Sequence, residues 1–264
     1  MLNIKMKNNK ISRLKQLPAL KTYFNWSSGK DSALALYYLL QDKKYSVKHL
    51  LTSVNAHHNR VSMHGLRREL LKLQTAALNI PHSTIELPEE PSMAEYESSM
   101  KGTVLKLQQS GFKCAAFGDI FLEDLKVYRE EQLAPYNIQA NFPLWKKDTR
   151  QLLNEFIDLG FKAILVCINA DILDESFAGR IIDKNFILDL PEGVDPCGEN
   201  GEFHTFCYDG PVFKVPVQFT IGEKIYREYK APVKDDNLSS QNNIRFYFCD
   251  LLPVNCHSPV KWAI

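Results

Sequence analysis

The chain has 264 residues, with 32 basic and 31 acidic side chains and a formal net charge of +1 at pH 7. This length suffices for one large core or two modest ones, and the balanced charge excludes a global field that would recruit nucleic acid or an anionic membrane. The six cysteines include no C-x-x-C pair, and no apolar stretch reaches the roughly 20 residues that span a bilayer. We therefore predict a cytoplasmic protein with free thiols and no membrane partner.

Residues 1–20 carry five basic side chains and no acidic one. This segment lacks both the apolar centre of a secretory signal and the amphipathic Ser/Arg pattern of a transit peptide. We predict a flexible, solvated basic extension.

After this extension, short apolar runs alternate with helical patterns, which is typical of βαβ units on a parallel sheet. Strands are predicted at residues 22–26, 47–54, 83–87 and 114–117, and helices are predicted to start near residues 31, 64 and 92. The second helix should bury one apolar face. That predicted face consists of Leu66, Leu70, Leu73 and Ala77.

After the basic extension we predict two domains, residues 21–146 and residues 147–264, with the boundary near Lys146. Helices are predicted at 122–135 and 148–159, a buried strand at 163–168, and β-rich segments at 212–221 and 244–251 separated by a polar loop at 235–243.

Residues 24–36 are the most informative segment, because an apolar run breaks into a Ser/Gly loop that opens directly into a helical pattern. A helix N-terminus offers unpaired N–H groups and a partial positive charge, which suits a phosphate. Gly29 allows close approach of the backbone, Lys30 adds a cation, and Asp31 can hold Mg²⁺ or cap the helix. The hydroxyls that can donate to phosphate oxygens belong to Ser27, Ser28 and Ser32.

These residues resemble the PP-loop of ATP pyrophosphatases, usually written S-G-G-x-D-S, in which ATP is cleaved between the α and β phosphates. Ser28 stands where the first glycine of that motif is usual. A serine is tolerable there only if the position needs no positive φ. The local alternative is a Ser/Asp-capped helix that follows a strand.

A second match lies at residues 195–206 and 208–211, which resemble the signature of the diphthine ammonia ligase family. Those enzymes use ATP to join an ammonium-derived nitrogen to a carboxylate. Segments 60–65, 117–120 and 176–180 match the family in the same order, so the resemblance covers roughly residues 20 to 230. The resemblance implies an α/β fold with a parallel-sheet, Rossmann-like PP-loop (HUP-type) nucleotide-binding domain and a smaller mixed α/β C-terminal domain.

The resemblance also implies a mechanism. The acceptor carboxylate would attack the α-phosphorus of ATP and expel pyrophosphate, leaving an acyl-adenylate that ammonia attacks. Lys30, Asp31 and the loop amides would stabilise the leaving group, with Asp31 holding Mg²⁺. Glu199, Glu202 and His204 would bind ammonium and take its proton, a task suited to a histidine with a pKa near neutrality.

Two further segments belong to the nucleotide site by resemblance. Gly118 and Asp119 follow the fourth predicted strand and should point into the same crevice as the phosphate loop; an ordinary turn with an Asp cap is equally compatible with the local sequence. His64 is a candidate for lining the adenine or substrate side. His57 and His58 are predicted to lie on an exposed loop after the second strand.

Less specific interpretations remain open for several of these residues. Glu199 and Glu202 could pair with a basic residue such as Arg180, leaving His204 as a hydrogen-bonded structural residue. Zinc is a weaker option, since Cys197 and His204 supply only two of the three or four ligands required. Arg67 and Arg68 are expected to be helix-surface charges.

The predicted partners are a carboxylate-bearing acceptor, either a small molecule or a modified protein side chain, together with ammonium and ATP. The compact sequence looks most like a bacterial branch of the family, so the acceptor is left open, and we allow for a homo-oligomer. The alternatives are a PP-loop tRNA or nucleobase-modifying enzyme, disfavoured by the lack of a cysteine pair and of basic aromatic patches, and a non-catalytic ATP-binding sensor.

Overall fold

The computed structural model describes residues 18–89, 91–229 and 243–254. Most of the predicted basic extension, and all but the last residue of the predicted loop at 235–243, lie outside the described residues. Within the described ranges, no helix combines the length and apolar character needed to cross a bilayer. The five cysteines in these ranges are buried free thiols.

The first sheet has five parallel strands and one short antiparallel strand. Its strands are β1 (Leu20–Asn25), β2 (Tyr45–Asn55), β3 (Arg60–Val61), β4 (His82–Leu87), β5 (Cys114–Ala116) and β6 (Gln139–Asn141). The parallel strands lie in the order β4-β2-β1-β5-β6, and β3 pairs antiparallel with the end of β2. The chain therefore reverses its direction of travel across the sheet between β1 and β5, where α/β proteins bind ligands.

Helices lie between the strands along the chain, and the first five of them were predicted from the sequence, whereas the sixth was not. They are α1 (Lys30–Gln41), α2 (Arg68–Leu78), α3 (Met93–Gln109), α4 (Glu123–Leu133), α5 (Thr149–Asp158) and α6 (Lys184–Asp189). Side chains cap three of these starts: Ser92 and Glu95 form a capping box on α3, Asp148 accepts from the N–H of Gln151 at the start of α5, and Asp183 accepts from the N–H of Phe186 at the start of α6.

The second sheet is antiparallel and belongs to the C-terminal half of the chain. Its strands are β7 (Lys162–Asn169), β8 (Phe203–Asp209), β9 (Phe219–Tyr229) and β10 (Ile244–Pro253), in the order β8-β7-β10-β9. A Rossmann-like parallel sheet joined to a mixed α/β half confirms the predicted fold class.

The two sheets share one apolar core. A single cluster of buried side chains extends from Phe24 and Leu34 in the first half to Phe156, Ile164 and Phe206 in the second. A separate cluster covers the other face of the first sheet. Its members include Tyr23, Leu51, Val104, Phe112 and Phe117. Because the halves bury apolar surface against each other, their relative position is fixed by packing.

The helix predicted near His64 begins later, at Arg68. Met63 and Gly65 adopt positive φ angles of 64° and 67°, which a helix does not accommodate, so the segment before α2 is a turn. The predicted apolar face is wrong at Leu73, which is 45% exposed. The buried face of α2 instead includes Leu70, Leu71, Gln74, Thr75, Ala77 and Leu78.

The segment at residues 212–221, predicted to be β-rich, is not a strand over most of its length. The strand begins only at Phe219 and continues to Tyr229. Pro211 and Pro216 have no N–H group to donate to a strand partner, which favours the irregular chain observed over residues 211–218.

Candidate active site

A crevice of about 440 Å³ opens at the carboxyl ends of β1, β2 and β5 and is closed on one side by β8. This volume is typical of sites for small molecules. The predicted site residues that line it are Ser27, Lys30, Asp31, Ser32, His64, Gly118, Asp119, Glu199 and His204. Ser28, Gly29 and Glu202 do not line the crevice, although they belong to the two segments whose other residues line it.

The loop after β1 is held together by its own hydroxyls. The Ser27 and Ser32 Oγ atoms are 2.8 Å apart, and the N–H groups of Ser27 and Gly29 donate to Ser32 Oγ and Ser27 Oγ at 3.2 and 3.3 Å. Although Thr205 Oγ1 binds the N–H of Lys30, the N-cap residue Gly29 has no side chain with which to cap α1. The positive end of the α1 dipole is therefore available to an anion in the crevice.

A buried amide fixes this loop from behind. Gln74 accepts a hydrogen bond from Trp26 Nε1 at 2.8 Å, and its Nε2 donates to the carbonyl oxygens of Ser28 (2.9 Å) and Cys207 (2.6 Å). Gln74 was not identified from the sequence. The only local signal is an amide next to Thr75 on the mostly apolar buried face of α2.

Strand β8 also contacts the loop directly. The N–H of Cys207 donates to the carbonyl oxygen of Ser28 at 2.9 Å, and the N–H of Lys30 donates to Thr205 Oγ1 at 3.0 Å. The conformation of the phosphate loop therefore depends on both halves of the chain.

Ser28 adopts a φ of 73°, contrary to the condition under which a serine was expected to be tolerated. Its side chain is fully buried, and its hydroxyl has no hydrogen-bond partner among the described residues. The bonds that Gln74 and Cys207 make to its carbonyl oxygen hold this strained backbone in place. Gly29 differs, since its φ of −85° is ordinary and a Cβ there would lie 3.0 Å from His64 Cε1.

Lys30 lies almost wholly inside the crevice wall. Its Nζ donates to Asp31 Oδ2 at 2.7 Å and to the carbonyl oxygen of Cys197, and it lies 5.2 Å from the ring centroid of Phe203. Burial lowers the pKa of Lys30, but Asp31 and further acidic groups together raise it more, so the net pKa is raised. Lys30 is therefore a permanent cation at neutral pH.

Glu199 links the C-terminal segment to the loop after β5, because its Oε1 accepts from the N–H of Ile120 at 2.7 Å. Burial raises its pKa to about 7, and the nearby Asp31 carboxylate adds to the rise. Burial also raises the pKa of Asp31, opposed by Lys30. Near neutral pH, Glu199 can thus both hold and release a proton.

Glu202 is turned into its own loop. The residue is only 3% exposed. Its carboxylate accepts hydrogen bonds from the backbone N–H of Asp195 (3.0 Å) and from the backbone N–H and side-chain amide of Asn200 (2.9 and 3.1 Å). Neither Glu199 nor Glu202 pairs with Arg180. The geometry gives Glu202 contacts that shape the segment before β8.

His64 and His204 face each other, with ring centroids 4.8 Å apart. His64 Nδ1 lies 3.0 Å from the carbonyl oxygen of Thr205, and since a carbonyl only accepts, Nδ1 carries the proton and Nε2 is free to accept. Burial lowers the pKa of His64 to about 3 and that of His204 to about 4. The expected near-neutral pKa of His204 is therefore corrected, because burial and the Lys30 cation disfavour its charged form.

The segment that carries His64 is clamped by β10. Arg60 Nη1 donates to the carbonyl oxygen of Gly65 (2.7 Å) and to Asp250 Oδ1 (2.8 Å), and Arg67 binds the same carboxylate through Nε and Nη2 at 3.0 and 2.6 Å. Arg67 is therefore not the helix-surface charge that was expected. Arg68 pairs instead with Glu86.

Phe248, also on β10, packs against the same segment. A Cβ added to Gly65, whose φ is 67°, would lie 2.8 Å from the Phe248 ring. Neither Asp250 nor Phe248 was identified from the sequence, because no local pattern connects β10 with residues 60–67.

Asp119 and Gly118 reach the crevice as expected. Asp119 is bound by Arg129, with Nη2–Oδ1 and Nε–Oδ2 distances of 3.1 and 3.0 Å, and the alternative of a helix cap is wrong, since the N-cap of α4 is Leu122. A Cβ on Gly118 would lie 3.0 Å from the backbone nitrogen of Ser32. Glycine therefore allows this loop to approach the start of α1.

Comparison with known proteins gives a consistent match. The family models described as the diphthamide synthase N-terminal and C-terminal domains match residues 20–132 and 148–234. The human diphthine–ammonia ligase is 26% identical over 212 residues, 67% of this chain and 79% of that protein. The bovine one is 33% identical over 150 residues, 48% and 56%.

The Schizosaccharomyces pombe diphthine–ammonia ligase is 36% identical over 104 residues, which is 35% of this chain and 17% of that protein. The aligned part of this chain thus spans less than a fifth of that relative and just over half of the bovine one.

The strain at Ser28 predicts a stabilising substitution. We expect Ser28→Gly to raise the free energy of unfolding by about 1 kcal/mol, because glycine accepts the positive φ without the side-chain penalty and removes an unpartnered hydroxyl. The measurement is urea unfolding, in which the dependence of the free energy of unfolding on urea concentration should not change. The control is Ser27→Gly, which removes the hydroxyl's hydrogen bonds at a residue whose φ is ordinary. A loss of stability in Ser28→Gly would contradict the backbone assignment.

The Asp250 clamp predicts a difference between two arginine–carboxylate pairs. Asp250→Asn should lower the free energy of unfolding by about 2 kcal/mol, because it leaves Arg60 and Arg67 without their shared, largely buried anion. Glu86→Gln, which breaks the exposed pair with Arg68, is the matched control and should cost about 0.5 kcal/mol or less. Equal losses in chemical denaturation would show that the clamp is no stronger than a surface pair.

The two neutral imidazoles predict an acid-sensitive fold. Unfolded histidines have a pKa of about 6.5, above the folded values of about 3 for His64 and about 4 for His204. Below about pH 6.5 the unfolded chain therefore binds protons that the folded chain does not, and the free energy of unfolding falls as the pH decreases towards the folded pKa values. Between about pH 7 and pH 5, the free energy of unfolding should decrease by roughly 1 kcal/mol less in His204→Gln than in the wild type. This is half of the value for a fully buried ring, because the His204 ring partly contacts solvent in the crevice. Parallel declines in urea unfolding for wild type and variant would refute it.

Proposed function

We propose that this chain, which belongs to the diphthine ammonia ligase family, is an ATP-dependent ligase that activates a carboxylate by adenylation and transfers ammonia to it. ATP is cleaved to AMP and pyrophosphate. The observation that carries the proposal is that a PP-loop at the start of α1 and the Glu199–His204 pair line one crevice. Activation and amide formation can therefore take place at one site.

The phosphates of ATP fit the loop and the start of α1, where the N-cap residue Gly29 has no capping side chain. Ser27, Lys30 and Ser32 line the crevice there, and the buried Lys30 cation stabilises negative charge as pyrophosphate leaves. The hydrogen bonds from Gln74 and β8 fix the loop before nucleotide binds. Preorganised donors of this kind avoid a reorganisation cost during the reaction.

Asp31 is the residue proposed to hold Mg²⁺. The fit is chemical: Mg²⁺ in nucleotide sites takes one or two carboxylates together with phosphate oxygens, and Asp31 lines the crevice beside the loop with only its Oδ2 engaged by Lys30. When bound, Mg²⁺ would neutralise charge on the phosphates.

Glu199 is the better proposed proton acceptor for ammonium. Its pKa of about 7 lets it take up a proton and release it again at neutral pH, whereas the neutral His204, with a pKa of about 4, is a weaker base. His204 offers a ring nitrogen to orient ammonium. Glu202 serves as a positioning residue, since its carboxylate closes the turn that presents both groups.

The relatives' name, diphthine–ammonia ligase, supports ammonia as the second substrate and a carboxylate as the acceptor. The acceptor is a modified protein side chain or a small molecule that carries a carboxylate.

Pyrophosphate exchange into ATP tests the proposal. With Mg²⁺ and fractionated cell extract, we expect exchange that depends on an acceptor fraction, and Asp31→Asn should lower its rate at least about 10²-fold because charge stabilisation is lost. Asp158→Asn, on the exposed side of α5, is the control and should keep full exchange. Production of ADP in place of AMP would refute the adenylation chemistry.

Measuring ammonia-dependent AMP production alongside pyrophosphate exchange separates adenylation from ammonia transfer. Glu199→Gln should keep pyrophosphate exchange but lose ammonia-dependent AMP production by about 10²-fold or more, because the loss affects only proton transfer. If Glu199→Gln lowers both steps equally, Glu199 acts in nucleotide binding.

A further inference from the structure

His57, His58 and Glu89 form a cluster outside the crevice. The histidines lie on the turn between β2 and β3, and Glu89 follows β4; the two turns are neighbours because β2 pairs with both β3 and β4. His58 Nε2 lies 2.9 Å from Glu89 Oε1, and His57 Nε2 lies 3.7 Å from Glu89 Oε2. One ligand atom from each side chain lies within 4.8 Å of the other two.

We propose that these three side chains bind a divalent transition-metal ion, with zinc as the first candidate. Zinc holds tetrahedral ligands at 2.0–2.1 Å, which places neighbouring donor atoms about 3.4 Å apart. One ligand atom from each of the three exposed side chains already lies within 4.8 Å of the other two, so modest side-chain rotation brings them to that spacing. Two imidazoles and one carboxylate are a common zinc donor set, with a water in the fourth position.

The backbone of the site is already in place. Asn55 Nδ2 donates to the carbonyl oxygen of Glu89 at 3.1 Å, and Asn55 Oδ1 accepts from the N–H of His58 at 3.0 Å. One side chain at the end of β2 thus fixes the distance between the two ligand-bearing segments. An ion requires only rotation of exposed side chains, since the His57 and His58 rings already stand edge to face with centroids 4.9 Å apart.

The donor set argues against two simpler readings. An ion pair between side chains that are each at least half exposed contributes at most about 1 kcal/mol and gives no reason for two imidazoles to converge on one carboxylate. Magnesium prefers oxygen donors, whereas imidazole nitrogens favour zinc, nickel or copper. The site is therefore distinct from the Mg²⁺ proposed at Asp31.

The position of the site suggests what a bound ion does. Ser53 and Leu87, on the two strands that lead into these turns, line the crevice. A metal ion that bridges the turns would tie β2 and β4 together at the rim of the crevice. This is a structural or regulatory role that needs no part in the ligase reaction.

Zinc titration of the untagged full chain by isothermal calorimetry tests the proposal. We expect one zinc per chain, with affinity at least tenfold weaker in both His58→Ala and Glu89→Gln. His49→Ala is the matched control, because that ring bonds to Ser83 away from the cluster, and it should bind zinc as the wild type does.

Three results would overturn the proposal. The first is unchanged zinc affinity in both ligand variants, and the second is the lack of saturable binding at millimolar zinc. The third is a thiolate charge-transfer band with Co²⁺, which would assign the ion to cysteines. Thermal unfolding of the variants in the absence of metal checks that they are folded.

Discussion

The hydrogen bonds of one buried amide hold the loop after β1 against the strand that packs on it. Gln74 joins the end of β1, the phosphate loop and strand β8 through Trp26, Ser28 and Cys207. These bonds offset a left-handed backbone that a serine would not adopt alone. Because one of the three partners lies in the C-terminal half, the phosphate loop is a property of the complete molecule and not of the Rossmann-like sheet by itself.

Burial explains the distribution of charge across the crevice. The same desolvation that keeps His64 and His204 neutral raises the pKa of Glu199 to neutrality, while Lys30 stays charged because acidic groups surround it. The side that would receive phosphate therefore keeps a cation, and the side that would receive ammonium keeps groups able to accept a proton. A low-dielectric crevice strengthens both effects.

The sequence predicted the parts of the site that local pattern determines. The loop from Ser27 to Ser32 and the turn at Gly118 lie at strand ends that apolar runs mark clearly, and both reach the crevice as expected. Gln74 and Asp250 were not predicted, because their partners lie 133 and 190 residues away along the chain. Glu202 illustrates the same limit: its position in the motif was evident, but only the folded turn reveals that its carboxylate faces inward.

The clamp from β10 has a consequence for how the protein is made. Arg60 and Asp250 are separated by 190 residues, and ribosomes add about 5–20 residues per second, so Arg60 waits roughly 10 to 40 seconds for its partner. During synthesis the first sheet can collapse around its own apolar face while the wall that carries His64 stays unsupported. Contacts of such long range also slow folding after release. The first sheet can therefore form on the nascent chain before Asp250 is available to complete the crevice.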